Sequence, residues 1–193
     1  MTSRDTPHNI TSAPIEGVGN IIMSPSGRAM AAKFREIWII NVYAPSGTAM
    51  KQERERFFNS ELPYLLTSET GHILLVGDFN CILEASDTTG GFTYSRALAE
   101  LVHDLALPDR WQGNPTRKVY THYFAPRATR IDRIYATQEF LERKLGVEAT
   151  VAPFTDHLAV CLRISIDLLI MRRGRRLWKV DSAVITENVC TEK

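Results

Sequence analysis

The chain is poor in cysteine, and its three, Cys81, Cys161 and Cys190, are far apart and without a short paired spacing. That excludes a disulfide framework and a thiolate zinc site, and it points to a reducing, intracellular setting, the nucleus included. Long apolar runs are also missing. Leu158–Leu162 and Leu168–Met171 fall far below the ~20 residues a helix needs to cross a bilayer, so no membrane partner is implied. Met1–Asn20 is polar, carries Pro7, Pro14 and Gly17, and has no apolar stretch of the secretory kind. Net charge is only +1, so any phosphate contact has to come from a local patch rather than a global excess. Repeats and low-complexity tracts are absent.

What is present suits one globular domain: 193 residues, 44% apolar and 23% charged. A polar segment spans residues 1–14 and the domain residues 15–171. A tail, residues 172–193, opens on Arg172-Arg173-Gly174-Arg175-Arg176. Short β-rich runs occur at Ala29–Phe34, Trp38–Tyr43 and Ile73–Val76, the second apolar enough to predict burial on both faces. Further strands are predicted at Tyr120–Phe124, Arg130–Tyr135, Val147–Val151 and Ala159–Ile164. Phe58, Leu62 and Leu65 recur at helical spacing after Ser46-Gly47, in a helix that Pro63 should interrupt. Leu98, Leu101, Val102 and Leu105 define a second helix starting near Ser95, a favourable N-cap, and a short third is predicted over Thr137–Leu145. Strands with intervening helices, but without strict alternation, predict a layered mixed-sheet α/β fold.

The chemistry-bearing residues sit beside these elements. Gly77-Asp78-Phe79-Asn80 follows the run Ile73–Val76 directly, and an extended backbone would turn residues 78 and 80 to one side. Asp78 could orient or deprotonate water, and Asn80 could hydrogen-bond a phosphate oxygen without repelling it. The same four residues also read as a plain turn. Asp156-His157 joins a hard oxygen ligand suited to Mg²⁺ to an imidazole that titrates near neutrality, or simply caps the following strand. Asp132, if it accepts a hydrogen bond from His157, would fix that ring's tautomer and favour its cation. Tyr43 either offers its phenol to a phosphate or packs at a strand end. His122 and Tyr120 read as sheet-face residues, either of which could stack on a base, and Asp87 reads as structural. Arg117, Lys118, Arg127, Arg130 and Arg133 form a basic stretch with Asp132 its only acid, either a solvated face or a set of phosphate contacts.

Taken together, Asn41-Val42-Tyr43-Ala44-Pro45-Ser46, Gly77-Asp78-Phe79-Asn80, Arg130-Ile131-Asp132-Arg133-Ile134-Tyr135 and Thr155-Asp156-His157 resemble the endonuclease/exonuclease/phosphatase superfamily, in that order. Pro25-Ser26-Gly27-Arg28, Ala44-Pro45-Ser46-Gly47 and Leu177-Trp178-Lys179 are most similar to the endonuclease domain of LINE-type non-LTR retrotransposons. The resemblance implies a four-layered α/β sandwich, two packed mixed β-sheets flanked by helices. It implies divalent-metal-dependent nicking of DNA, with Mg²⁺ or Mn²⁺ as cofactor and a reverse transcriptase in a longer parent protein. By the same resemblance Asp78 matches the water-activating Asp, Asn80 the phosphate-orienting Asn, Tyr43 the phosphate-contacting Tyr, and His157 the active-site His. Asp132 matches the residue that orients His157, and Asp156 the metal carboxylate beside it, while Arg130, Arg127 and Lys118 are the expected substrate contacts. The family's first strands, which carry an Asn and a metal-binding Glu, lie upstream of the match. Glu16 has no strand before it and does not take that place. The expectation is therefore a weakly bound cation and impaired hydrolysis. A phosphatase of the same superfamily and a non-catalytic nucleic-acid-binding relic are the alternatives.

Overall fold

The computed structural model describes residues 18–66, 71–91, 93–110, 119–142 and 144–164. The segment 1–14, the tail 172–193, Arg117 and Lys118 lie outside them. Five strands form one mixed sheet. In chain order they are β1 (Val18–Met23), β2 (Ala29–Phe34), β3 (Ile37–Tyr43), β4 (His72–Asp78) and β7 (Asp132–Ala136), and they lie side by side in that order. β3 and β4 run parallel and the other neighbours antiparallel. β5 (His122–Phe124) and β6 (Arg127–Thr129) form a small hairpin turned by a cis Ala125–Pro126 bond, and β8 (Lys144–Val151) pairs with β9 (Leu158–Ile164).

One face of the sheet is built for helices. Ala31, Ile40, Leu75 and Tyr135 are consecutive register partners on it, and Phe57, Phe58, Leu62, Leu65 and Leu98 close over it as one core. α1 (Lys51–Arg56) gives way at Phe57 to a wide turn, with Leu62 N–H donating to Phe57 O at 3.0 Å, and then to a tight turn at Pro63–Leu65. Proline has no N–H to continue the ladder, so the interruption falls where Pro63 predicts it. α2 (Arg96–Asp104) is capped as expected, the Ser95 hydroxyl accepting from Leu98 N–H at 3.2 Å.

The other face is covered only in part. Leu162 and Ile164 of β9 pack with Ile37, Leu74, Ala136 and Phe140, on the β4 and β7 side. Toward β1 the same face is open: Ile21, Met23, Met30 and Ile39 are 39–59% exposed. β3 is therefore buried on one face, not two, because an apolar run cannot specify whether a second layer reaches it. Two further expectations are corrected. The third helix is only α3 (Glu139–Glu142), since Lys144 already enters β8, and the Thr137 hydroxyl just before it accepts from Ile73 N–H at 3.3 Å, tying it to β4. β1 and β6 were not expected from the sequence.

Candidate active site

The site starts from one cross-strand row. Tyr43, Asp78 and Asp132 are successive register partners on β3, β4 and β7, so the sheet sets a phenol and two carboxylates side by side. Gly77 makes the close strand approach possible. Its φ is +132°, and a Cβ there would lie 2.0 Å from Val42 O. Asn80 adopts φ +49°, which asparagine tolerates better than most residues. That turn lets Asn80 N–H donate to Asp78 Oδ1 at 2.8 Å while its Nδ2 donates to Asp78 Oδ2 at 3.1 Å and to Ala44 O at 2.9 Å. Both amide hydrogens are thereby engaged. As placed, Asn80 orients Asp78 and does not present the phosphate donor anticipated for it.

Desolvation pushes the Asp78 carboxyl up from 3.8 to about 6; the Asn80 N–H opposes it, and the neighbouring Asp132 charge adds to it. Opposite the row stands His157, with Nδ1 3.0 Å from Asp132 Oδ2 and 3.2 Å from Oδ1. Since an ionised carboxylate only accepts, Nδ1–H is the donor and Nε2 is left free. Asp156 is half exposed beside it, its Oδ1 4.0 Å from His157 Nε2.

Two residues outside the motifs complete the arrangement. His122 bridges to His157 through the backbone, its ring centroid 4.7 Å from that of His157 and its Nε2 3.3 Å from Asp156 Oδ2. Thr121, 1% exposed, accepts at Oγ1 from the N–H groups of Ile131 (3.2 Å) and Asp132 (3.1 Å), while its carbonyl accepts from Leu158 N–H at 2.6 Å. One buried threonine thus ties β7 to the segment that carries His157. The only signal for either was their place in a strand-like run.

The basic stretch divides. Arg130 and Arg133 are 7% and 2% exposed and form a closed box with Asp87 and Asp109. Arg130 Nη1 meets Asp109 at 2.5 Å and its Nε meets Asp87 at 2.9 Å, while Arg133 binds both acids. Burial alone would push the Asp87 carboxyl up, but Arg133 and Arg130 outweigh it and hold it below its ordinary value. Arg130 is therefore not a substrate contact: its charge is spent bracing the strand that carries Asp132. Arg127 differs. It is exposed, packs its stem over Gly90, and lines a cleft of about 510 Å³ with Asn80, His122 and Phe124. A second cleft, about 420 Å³, lies between the row and β9, lined by Asn41, Val76, Asp78, Asp132 and Leu158. Tyr43, Phe124 and Phe154 are exposed.

Two groups of side chains bring ligand atoms within 4.8 Å of one another: Asp78, Asp132 and His157, and His122, Asp156 and His157. Among the described residues no glutamate joins either.

A family model described as the Endonuclease/Exonuclease/phosphatase family matches residues 26–157. The chain belongs to this family. It is also similar to the 149 kDa protein of transposon TX1 from Xenopus laevis, at 33% identity over an alignment of 153 positions that covers 72% of this chain and 12% of that protein. The chain thus spans about an eighth of that relative's length. Among solved structures, an AP endonuclease from Archaeoglobus fulgidus matches with TM-score 0.62 and 20% identity, covering 77% of this chain and 72% of that one. A 3′ phosphatase from Neisseria bound to a product DNA hairpin matches with TM-score 0.63 and 19% identity, covering 78% and 71%. At that identity they establish the α/β sandwich fold of this family. Among the described residues no helix is long and apolar enough to cross a membrane.

Proposed function

We propose that this chain is a divalent-metal-dependent DNA endonuclease of LINE-type retrotransposon origin, working slowly through a weakly held cation. The observation that carries the reading is the row Tyr43–Asp78–Asp132 with His157 closed onto Asp132. Two carboxylates and an imidazole there bring ligand atoms within 4.8 Å of one another, with the Tyr43 phenol at the end of the row, which supports general-base hydrolysis. Asp78, held by Asn80, takes a proton from water; the resulting hydroxide attacks phosphorus as the P–O3′ bond breaks, and the departing O3′ takes a proton from solvent, giving a 5′ phosphate and a 3′ hydroxyl that a polymerase could extend. A carboxyl pushed up to about 6 is still ionised at neutral pH and is a stronger base than an ordinary aspartate. His157, oriented by Asp132, turns Nε2 to a phosphate oxygen, and Tyr43 donates to another.

The donor set fits a hard cation. Carboxylates crowd the point at which a phosphate would arrive, and such a cluster repels a phosphodiester unless a cation intervenes. Asp156, next to His157, is the carboxylate that would hold Mg²⁺ or Mn²⁺, and the ion would supply neutralisation of the charge growing on phosphate oxygens. With no glutamate in the cluster among the described residues, affinity is low, because it rises with ligand count and charge. DNA is favoured over a small phosphoester by the exposed Arg127 and by Phe124 and Phe154, which are free to stack on bases. The similarity to a transposon protein supports an origin in a mobile element.

The test is supercoiled-plasmid nicking with Mg²⁺ or Mn²⁺. Slow nicking, abolished by EDTA, Asp78→Ala and His157→Ala, is expected. Hydrolysis of a soluble inositol phosphate but not DNA would assign the phosphatase reading. Salt-sensitive DNA binding in EDTA without any cleavage would assign the binding relic.

A further inference from the structure

His122 is not required by the hydrolytic scheme, yet it is built into the centre of the site. Its Nδ1 lies 3.2 Å from Thr129 Oγ1, and that hydroxyl can accept Nδ1–H. His157 is held likewise, Nδ1 on Asp132. Each imidazole is thus anchored through one nitrogen by an oxygen of a neighbouring strand, and each turns the other nitrogen toward Asp156. His122 Nε2 is 3.3 Å from Asp156 Oδ2, and His157 Nε2 is 4.0 Å from Asp156 Oδ1. An oxygen partner on the far ring nitrogen is the arrangement that orients metal-binding histidines.

We propose that His122, Asp156 and His157 form a binding site for a borderline transition-metal cation such as Zn²⁺ or Co²⁺. Two imidazoles with one carboxylate suit these ions, whereas Mg²⁺ prefers an all-oxygen shell. The backbone favours the site: the bridge between His122 and His157, together with Tyr123 N–H donating to Asp156 O at 2.9 Å, fixes the three ligands on two short segments. The ligand atoms already lie within 4.8 Å of one another, and Asp156, half exposed, has room to turn its carboxylate toward the two imidazoles. A cation there engages His157 Nε2, the atom the hydrolytic reading turns toward phosphate. Zn²⁺ would accordingly oppose Mg²⁺-dependent turnover.

The inference stands on the ligand geometry, and its test needs no nuclease activity. Purified full-length protein is dialysed against Co²⁺ with excess Mg²⁺ present, then read by metal analysis and visible absorption. Bound Co²⁺ that His122→Phe and Asp156→Asn each weaken about tenfold or more, and that Asp78→Asn leaves unchanged, is the expected result. Circular dichroism and the melting temperature of metal-free His122→Phe verify that it folds. Binding that survives His122→Phe, or that Asp78→Asn abolishes instead, would overturn the proposal. Displacement of Co²⁺ by Mg²⁺ alone would do so as well.

Discussion

Asn80 grips Asp78 from two directions, its backbone N–H on Oδ1 at 2.8 Å and its side-chain amide on Oδ2 at 3.1 Å. Asn80→Ala keeps the first bond and loses the second, together with the tether to Ala44 O. Nicking should drop by about tenfold or more as the base loses its aim, with a stability loss of about 1–2 kcal/mol. Asn80→Asp should be worse for activity, since it sets another carboxylate against Asp78. Single-turnover rates beside melting curves check both.

Asp78 carries a stability cost at neutral pH. Its folded pKa, about 6, lies above the ordinary 3.8, so between about pH 4 and 6 the folded chain holds a proton that the unfolded chain has lost. Stability contributed by this group therefore falls as pH rises through that window. Asp78→Asn should raise stability at pH 7.5 in EDTA, on the order of 1–2 kcal/mol after allowance for partial solvent screening, and the gain should vanish near pH 4. Urea midpoints at the two pH values decide it; a gain of equal size at both would reject burial as the cause.

Gly77→Ala is expected to cost about 3 kcal/mol or more, because the new Cβ would fall 2.0 Å from Val42 O and force β3 and β4 apart at the residue before Asp78. Chemical denaturation measures it. Gly47, whose Cβ would meet nothing within 4 Å, serves as a comparison for the strain of positive φ alone.

The two fates of the basic stretch separate cleanly. Arg130→Met removes one of the two buried guanidinium groups that Asp87 and Asp109 share and should destabilise by about 3–5 kcal/mol. Arg127→Ala should leave the melting temperature unchanged, weaken DNA binding, and lower the salt slope by about 1. Equal effects of the two substitutions on stability would refute the division.

How far the chain could be read without its structure follows from the range of each interaction. Gly77-Asp78-Phe79-Asn80 after an apolar run, the Ser95 cap and the break at Pro63 depend on neighbours within a few residues, and composition alone announces them. Arg130 reads as a phosphate contact in the sequence because its true partners lie 43 and 21 residues away. His122 reads as a sheet-face residue because a long-range backbone bridge to His157 is what brings it to the site.

By itself, then, the sequence determined which residues can carry charge, accept protons or turn the chain, since those are properties of side chains and local backbone. Tertiary structure alone decided which charges are spent and which remain free. Asp87 and Asp109 consume Arg130, Asn80's hydrogens go to Asp78 and Ala44, and His122 joins His157 around Asp156. The reason is physical: a buried charge must be paired, and its partner is chosen by strand register, not by sequence distance.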